Sequence, residues 1–193
     1  MESPEASDWG VFTVAEPAAV YDPNADEIRL YYVTAGGSAE HDGDFAILLA
    51  TSSDGSAFTH HRDGDGNREP VWSLQKSYTP PVEFRGYSTP SVALGADGHY
   101  YLVHDVVKYV DGSGFDQMAI SLARSADGVH FEELSIDILA RGQKPWFEQL
   151  IGPTLLLDGD DVHIWFTGHE ELTSFDDFTH GIGRITGTFD CNP

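Results

Sequence analysis

The stretch LATSSDGSAF, residues 49–58, returns almost unchanged as LARSADGVHF at residues 122–131. In each copy a Ser stands two residues before an Asp-Gly pair and a Phe three residues after the Gly (Ser52, Asp54, Gly55, Phe58; Ser125, Asp127, Gly128, Phe131). The two Asp residues are 73 positions apart. Asp-Gly is a strong turn signal, because Gly tolerates a positive φ and the Asp carboxylate satisfies nearby backbone N–H groups. With an apolar run before it and a Phe after it, the decapeptide reads as a corner between two antiparallel strands.

Working outward, the same order of features recurs upstream of each corner. EPAAVYDPNADEIRLYYV (16–33) and TPSVALGADGHYYLVHDV (89–106) each begin at a Pro, continue as a short apolar run, turn on Asp, Asn or Gly, and resume as an apolar-aromatic run. GPTLLLDGDDVHIWFTG (152–168) is a third copy. Repeats of this length predict a tandem architecture. Each unit predicts antiparallel strands at 17–21, 28–34 and 45–51; at 90–94, 100–106 and 118–124; and at 153–157, 162–167 and 181–186. Fourth strands are expected near 57–62 and 130–136. No helical periodicity stands out. The predicted fold is therefore all-β and propeller-like, with about three four-stranded antiparallel blades in the chain.

The expected boundaries are a flexible segment over 1–8 and one propeller-like domain over 9–190, with units at about 16–72, 89–140 and 152–190. The third unit lacks a fourth strand, and WGVFTV (9–14) is the candidate to complete it. Three blades are fewer than the four or more that usually close a ring. A homo-oligomer, or a place within a longer propeller, is the corresponding expectation.

Composition limits the partners. With 32 acidic and 10 basic residues the net charge is −22, which repels phosphate backbones and anionic membrane surfaces. Neither a nucleic acid nor a membrane is expected as a partner. The single cysteine, Cys191, cannot form a disulfide within the chain, so packing must supply stability. The opening MESPEASDWG has neither the basic region nor the apolar run of a signal peptide.

The strand order sorts residues onto two rims. The Asp-Gly corners fall on one, where turn and core duty accounts for them. The other collects the strand-one starts Glu16, Thr89 and Gly152, the strand-two ends Asp105, His169 and Glu170, and the links 73–88 and 141–151. Those links carry Arg85, Tyr87, Trp146 and Glu148. Five of the ten basic residues (Lys76, Arg85, Lys108, Arg141, Lys144) lie in or beside them. Aromatic rings beside carboxylates and a few cations suit a carbohydrate, whose C–H faces stack on rings while its hydroxyls need strong hydrogen-bond partners. Arg85, Tyr87, Thr89, Trp146, His169 and Glu170 are the expected substrate contacts. The bland alternatives are a solvated strand end for Glu16, and core or subunit contact for Trp146. His104 and His163, inside strands, read as buried hydrogen-bonded histidines. No resident cofactor is expected. Asp63, Asp65 and Asn67 alternate as calcium ligands do, but the loop lacks the Gly and Glu of an EF-hand. An acidic turn is the preferred reading there, with a cation site as the alternative.

The Pro-led strand, the Asp-Gly turn, the LYY or IWF strand and the A-x-S-x-D-G-x-x-F corner together resemble the five-bladed propellers of the glycoside hydrolase family 43 and family 32 type. The resemblance spans roughly residues 9–190 as a repeat pattern. It implies a glycan partner, an extracellular or periplasmic location, and carboxyl groups beside the strand-initiating prolines. Hydrolysis needs two carboxyls flanking the scissile bond, one protonated and one ionised. Glu16-Pro17 keeps such a group, whereas the equivalent positions hold Thr89-Pro90 and Ile151-Gly152-Pro153. Glu148, three residues before Ile151, is the candidate second carboxyl, with Asp105 orienting or tuning one of the pair. The resemblance thus implies a glycosidase-like protein that binds and cleaves a glycan. The alternative is a propeller that binds carbohydrate or protein without catalysis.

Overall fold

The computed structural model describes residues 13–35, 45–73, 82–110, 114–140, 149–169 and 180–188. Among them are twelve strands and no helix. The first unit holds β1 (Thr13–Asp22), β2 (Glu27–Ala35), β3 (Phe45–Ser52), β4 (Thr59–His60) and β5 (Pro70–Ser73). The second holds β6 (Val82–Leu94), β7 (Tyr100–Val110), β8 (Gly114–Ser125) and β9 (Glu132–Ala140). The third holds β10 (Gln149–Asp158), β11 (Asp161–His169) and β12 (His180–Thr188). Within each unit the strands pair antiparallel, as expected from the alternation of apolar runs and Asp/Gly turns, with β4 and β5 both on β3.

Two details depart from the sequence expectation. The fourth strand of the first unit is split, because the DGDGNRE segment makes its own small hairpin, closed by an Arg62–Arg68 bridge. β4 therefore pairs with the end of β3 and β5 with its beginning. Thr13 and Val14, expected in a strand completing the third unit, instead open β1 and pair with Ala35 and Thr34. Residues 9–12 of that stretch lie outside the described residues.

Sheet pairing passes from the first unit to the second through one parallel contact, Phe45 with Gly86. Gly86 has φ +125°, and a Cβ there would stand 1.8 Å from the Phe45 carbonyl oxygen. Only glycine fits so close a backbone approach.

Alternation along β7 fills two cores. Tyr100 and Leu102 face the first unit and pack with Tyr31, Val33, Ile47 and Leu49. Tyr101 and Val103 face the third and pack with Leu150, Leu155, Ile164 and Phe166. The second unit is thus buried on both faces, and the innermost strands β1, β6 and β10 lie side by side. Ser91 Oγ accepts the Leu155 N–H at 3.0 Å, which ties β6 to β10.

The repeated decapeptides adopt one geometry. Ser52 Oγ accepts the Gly55 N–H, and Ser125 Oγ accepts the Gly128 N–H, each at 2.9 Å. Asp54 Oδ1 accepts the N–H groups of Ser56 and Ala57 at 2.8 and 3.1 Å. Asp127 Oδ1 accepts those of Val129 and His130, both at 2.8 Å. Both glycines have φ +74°. The second corner also anchors the first unit: Arg29 donates to the Asp127 carbonyl, and Tyr31 donates to the Gly128 carbonyl at 2.8 Å. Arg29 pairs with Asp22 at 3.3 Å and lies 4.7 Å above the Tyr100 ring, whose hydroxyl donates to Asp22. The corners thus cap their own turns, and the second ties this rim of its unit to the first.

Candidate functional site

The opposite rim is built on three backbone bulges. Register shifts fall between Ala15 and Ala18, between Ser88 and Ser91, and between Ile151 and Thr154. Each skips the residue before a strand-one Pro and the Pro itself. Glu16 (φ +54°), Thr89 (φ +43°) and Gly152 (φ +63°) therefore share a left-handed conformation. Glycine adopts it freely, but a Glu and a β-branched Thr do so only under strain of about 1–3 kcal/mol each. Backbone strain of this kind clusters at active sites and ligand clamps.

The three bulges meet. The exposed Glu16 places Oε2 on the Thr89 N–H at 2.8 Å. Asp105 on β7 stands opposite Ser88 in register, and its Oδ2 accepts the Gly152 N–H at 3.3 Å. Asp105 is completely buried. Burial pushes its carboxyl well above the ordinary range. The Thr89 hydroxyl and the Gly152 amide oppose the shift, and the Glu16 charge adds to it. One exposed carboxyl and one buried carboxyl that favours its neutral form thus lie around the same strained backbone. Ser88 Oγ is buried with no hydrogen-bond partner among the described residues.

Behind Asp105 is a second polar group. His104 is fully buried; its Nε2 accepts the Trp72 Nε1–H at 2.9 Å, and its Nδ1 lies 3.1 Å from the Asp105 carbonyl oxygen. Burial lowers its pKa to about 4, against the carbonyl's opposing pull. The expectation of a buried, hydrogen-bonded histidine matches this geometry at His104, whereas His163 is half-buried and its Nδ1 has no hydrogen-bond partner among the described residues. Tyr87 is half-buried, stacked on Trp72 at 5.4 Å and 4.4 Å from the His104 ring, so its face is occupied from within the molecule.

Of the residues expected at this rim, the structure brings together Glu16, Thr89 and Asp105, whereas Tyr87 packs against Trp72 and His104 on the other face of the sheet. Arg85 lies in β6 and His169 at the end of β11, but their side chains lie outside the description. Trp146, Glu148 and Glu170 lie wholly outside the described residues. Sequence reasoning did not single out Trp72 or Ser88; the one available signal was Ser88's place immediately before the Thr-Pro step. In the acidic hairpin, Asp63 Oδ1 accepts the N–H groups of Asp65 and Asn67 at 2.9 and 2.8 Å, so its carboxylate caps its own turn. No group of three or more His, Cys, Asp or Glu side chains with metal-binding geometry occurs among the described residues.

Fold and rim together define an all-β, propeller-like protein of the architecture found in glycoside hydrolases. Among solved structures, the chain is similar to Zg3597, a family 117 glycoside hydrolase produced by the marine bacterium Zobellia galactanivorans. The TM-score is 0.66 at 16% identity, covering 94% of this chain and 54% of that one. It is also similar to an N-acetylgalactosamine deacetylase from F. plautii, with TM-score 0.64, 16% identity, and 93% and 51% coverage. A family 32 β-fructofuranosidase of Bombyx mori matches with TM-score 0.56, 22% identity, and 91% and 34% coverage. The chain therefore spans about half, or a third, of the length of these structures. No family model and no curated protein matches the sequence.

Proposed function

We propose that this chain is a glycoside-hydrolase-like protein that binds a glycan at the rim where β1, β6 and β10 carry their bulges, and hydrolyses it there. The observation that carries the reading is the Glu16 carboxylate, exposed yet held in place by the Thr89 N–H on a strained backbone. An acid beside a strand-initiating Pro is what the glycosidase resemblance implies at this position. In this reading Glu16 is the ionised carboxyl and Glu148, on the 141–151 link, is its proton-donating partner. Asp105 orients or tunes one of the pair from below. Trp146, Arg85, Tyr87, Thr89, His169 and Glu170 contribute contacts to sugar rings and hydroxyls. Structural similarity to glycoside hydrolases supports a carbohydrate as the partner class.

A second reading has its own observation. Of the three equivalent bulge positions only Glu16 carries an acid, the others being Thr89 and Gly152. A module that binds glycan without cleaving it follows if Glu148 does not face Glu16. A screen against an array of neutral oligosaccharides, followed by calorimetry and product analysis, separates the readings. Hydrolysis abolished by Glu16→Gln and by Glu148→Gln, with binding retained, supports catalysis. Binding lost in Trp146→Ala without turnover in the wild type supports the binding module. Absence of binding across the array overturns both.

The reading also includes self-association, or membership of a longer propeller, as the means of completing the ring. Light scattering on this chain at micromolar concentration tests self-association.

A further inference from the structure

The indole N–H of Trp72 can only donate, so His104 Nε2 must accept and the imidazole proton must sit on Nδ1. Nδ1–H then donates to the Asp105 carbonyl. The hydrogen bonds converge on Asp105: Trp72 on β5 donates to His104 on β7, His104 donates to the Asp105 carbonyl, and the Gly152 N–H on β10 donates to the Asp105 carboxyl. One line of contacts therefore begins in the first unit, crosses the second, and ends on the bulge of the third. The Glu16–Thr89 bond closes the remaining side of the site.

We propose that His104, held in its Nδ1–H tautomer by Trp72, is a positioning residue that sets Asp105 and, through it, the alignment of the third bulge with the other two. Its relevance to glycan chemistry rests on the reading of this rim as a glycan site; the relay itself does not. His104 and Asp105 are consecutive on a strand, so their side chains point to opposite faces of the sheet. A shift on the first-unit face must then reach the third unit through the backbone they share. The groups around His104 are Trp72, Tyr87 and the Asp105 carbonyl, with no carboxylate or cation among its described hydrogen-bond or ring contacts. The groups around Asp105 are Glu16 from β1, Ser88 and Thr89 from β6, and the Gly152 amide from β10. A neutral imidazole is the form that fits a donor on one side and an acceptor on the other. Protonating it would set two N–H donors against each other.

The test is nuclear magnetic resonance on the whole chain, following the Asp105 carboxyl carbon and the Gly152 amide across pH. Trp72→Phe keeps a ring against Tyr87 and deletes the donor, at the cost of part of the indole's packing. It is expected to move the Asp105 midpoint by about one pH unit or more, as water gains access to a loosened carboxyl, and to carry the Gly152 amide with it. The Gly128 amide on the far rim should not move. His104→Asn can place its amide nitrogen where Nδ1 stands and is expected to restore most of the wild-type Asp105 titration, whereas His104→Leu should not. A merely structural role would change melting temperature alike in His104→Asn and His104→Leu without separating their titrations. Titrations unchanged in Trp72→Phe, or indistinguishable between His104→Asn and His104→Leu, overturn the proposal. These outcomes are independent of the oligosaccharide array, so a failed glycan screen and a failed relay are told apart.

Discussion

Glu16 and Thr89 stand 73 residues apart in the chain, yet the carboxylate of one accepts the backbone N–H of the other at 2.8 Å. Both occupy the left-handed region, at the same place in successive units. The contact therefore joins two copies of one strained bulge, and it puts the exposed acid of the first unit over the second. The strain and the juxtaposition give the rim measurable properties.

Thr89 bears the less natural of the two conformations, since a β-branched side chain is crowded at φ +43°. Thr89→Gly removes the crowding and keeps the N–H that Glu16 uses. The expected result is stability unchanged or raised by up to about 1 kcal/mol, the relieved strain being partly offset by glycine's entropy. Urea denaturation of the two proteins checks this; a marked loss would mean that the hydroxyl contributes more than the strain costs.

Gly86 should be intolerant. Its Cβ would overlap the Phe45 carbonyl, and flexible side-chain movement cannot relieve a clash with backbone. Gly86→Ala is expected to cost about 3 kcal/mol and to loosen the junction between the first two units. Chemical denaturation with hydrogen exchange at the Phe45–Gly86 pairing measures both effects, and near-wild-type stability would contradict the close approach.

Asp105 and His104 give opposite pH dependences. The Asp105 carboxyl titrates higher in the folded chain than in the unfolded one. Its stabilising contribution is complete below the unfolded value of about 4 and is lost as pH rises through the folded one. Asp105→Asn should therefore gain stability over wild type at pH 8 and gain little at pH 4. Thermal melts at the two pH values decide it: an advantage that fails to grow with pH refutes the assignment.

His104 titrates lower when folded, at about 4. The unfolded chain binds its proton first, so stability should fall as pH drops from about 6.5 toward that value. In His104→Asn this part of the slope should disappear. Denaturation midpoints at half-unit pH steps test it, and an unchanged slope would place the acid sensitivity elsewhere.

The corner Asp127 belongs to the other rim. Asp127→Ala deletes the acceptor of two backbone N–H groups and of the His130 ring and should cost about 1–2 kcal/mol. Intrinsic glycan affinity should be spared. Calorimetry on the folded variant checks this, and lost affinity at unchanged melting temperature would move the functional rim to the corners.

Much of the architecture was legible in the residues because it is local. The Ser-x-Asp-Gly corners, the Asp/Gly turns and the alternation of apolar runs predicted strands and their pairing within each unit, since these depend on nearest neighbours along the chain. Glu16 and Asp105 were also legible as candidates, from strand direction and the rim each strand end must reach. The split of the fourth strand into β4 and β5 was not, because the DGDGNRE hairpin competes locally with continued pairing.

By itself the sequence determined an all-β repeat whose Asp-Gly corners fall on one rim and whose strand-initiating prolines fall on the other. Tertiary structure alone decided that the residues before Pro17, Pro90 and Pro153 are left-handed bulges. A residue preceding proline ordinarily favours the extended region, and only packing of β1, β6 and β10 against one another overrides that preference. Tertiary structure also decided that Asp105 is buried while Glu16 is exposed, and that Trp72 reaches His104. Those outcomes depend on how one sheet lies on the next, and the spacing of residues within a unit carries no information about that angle.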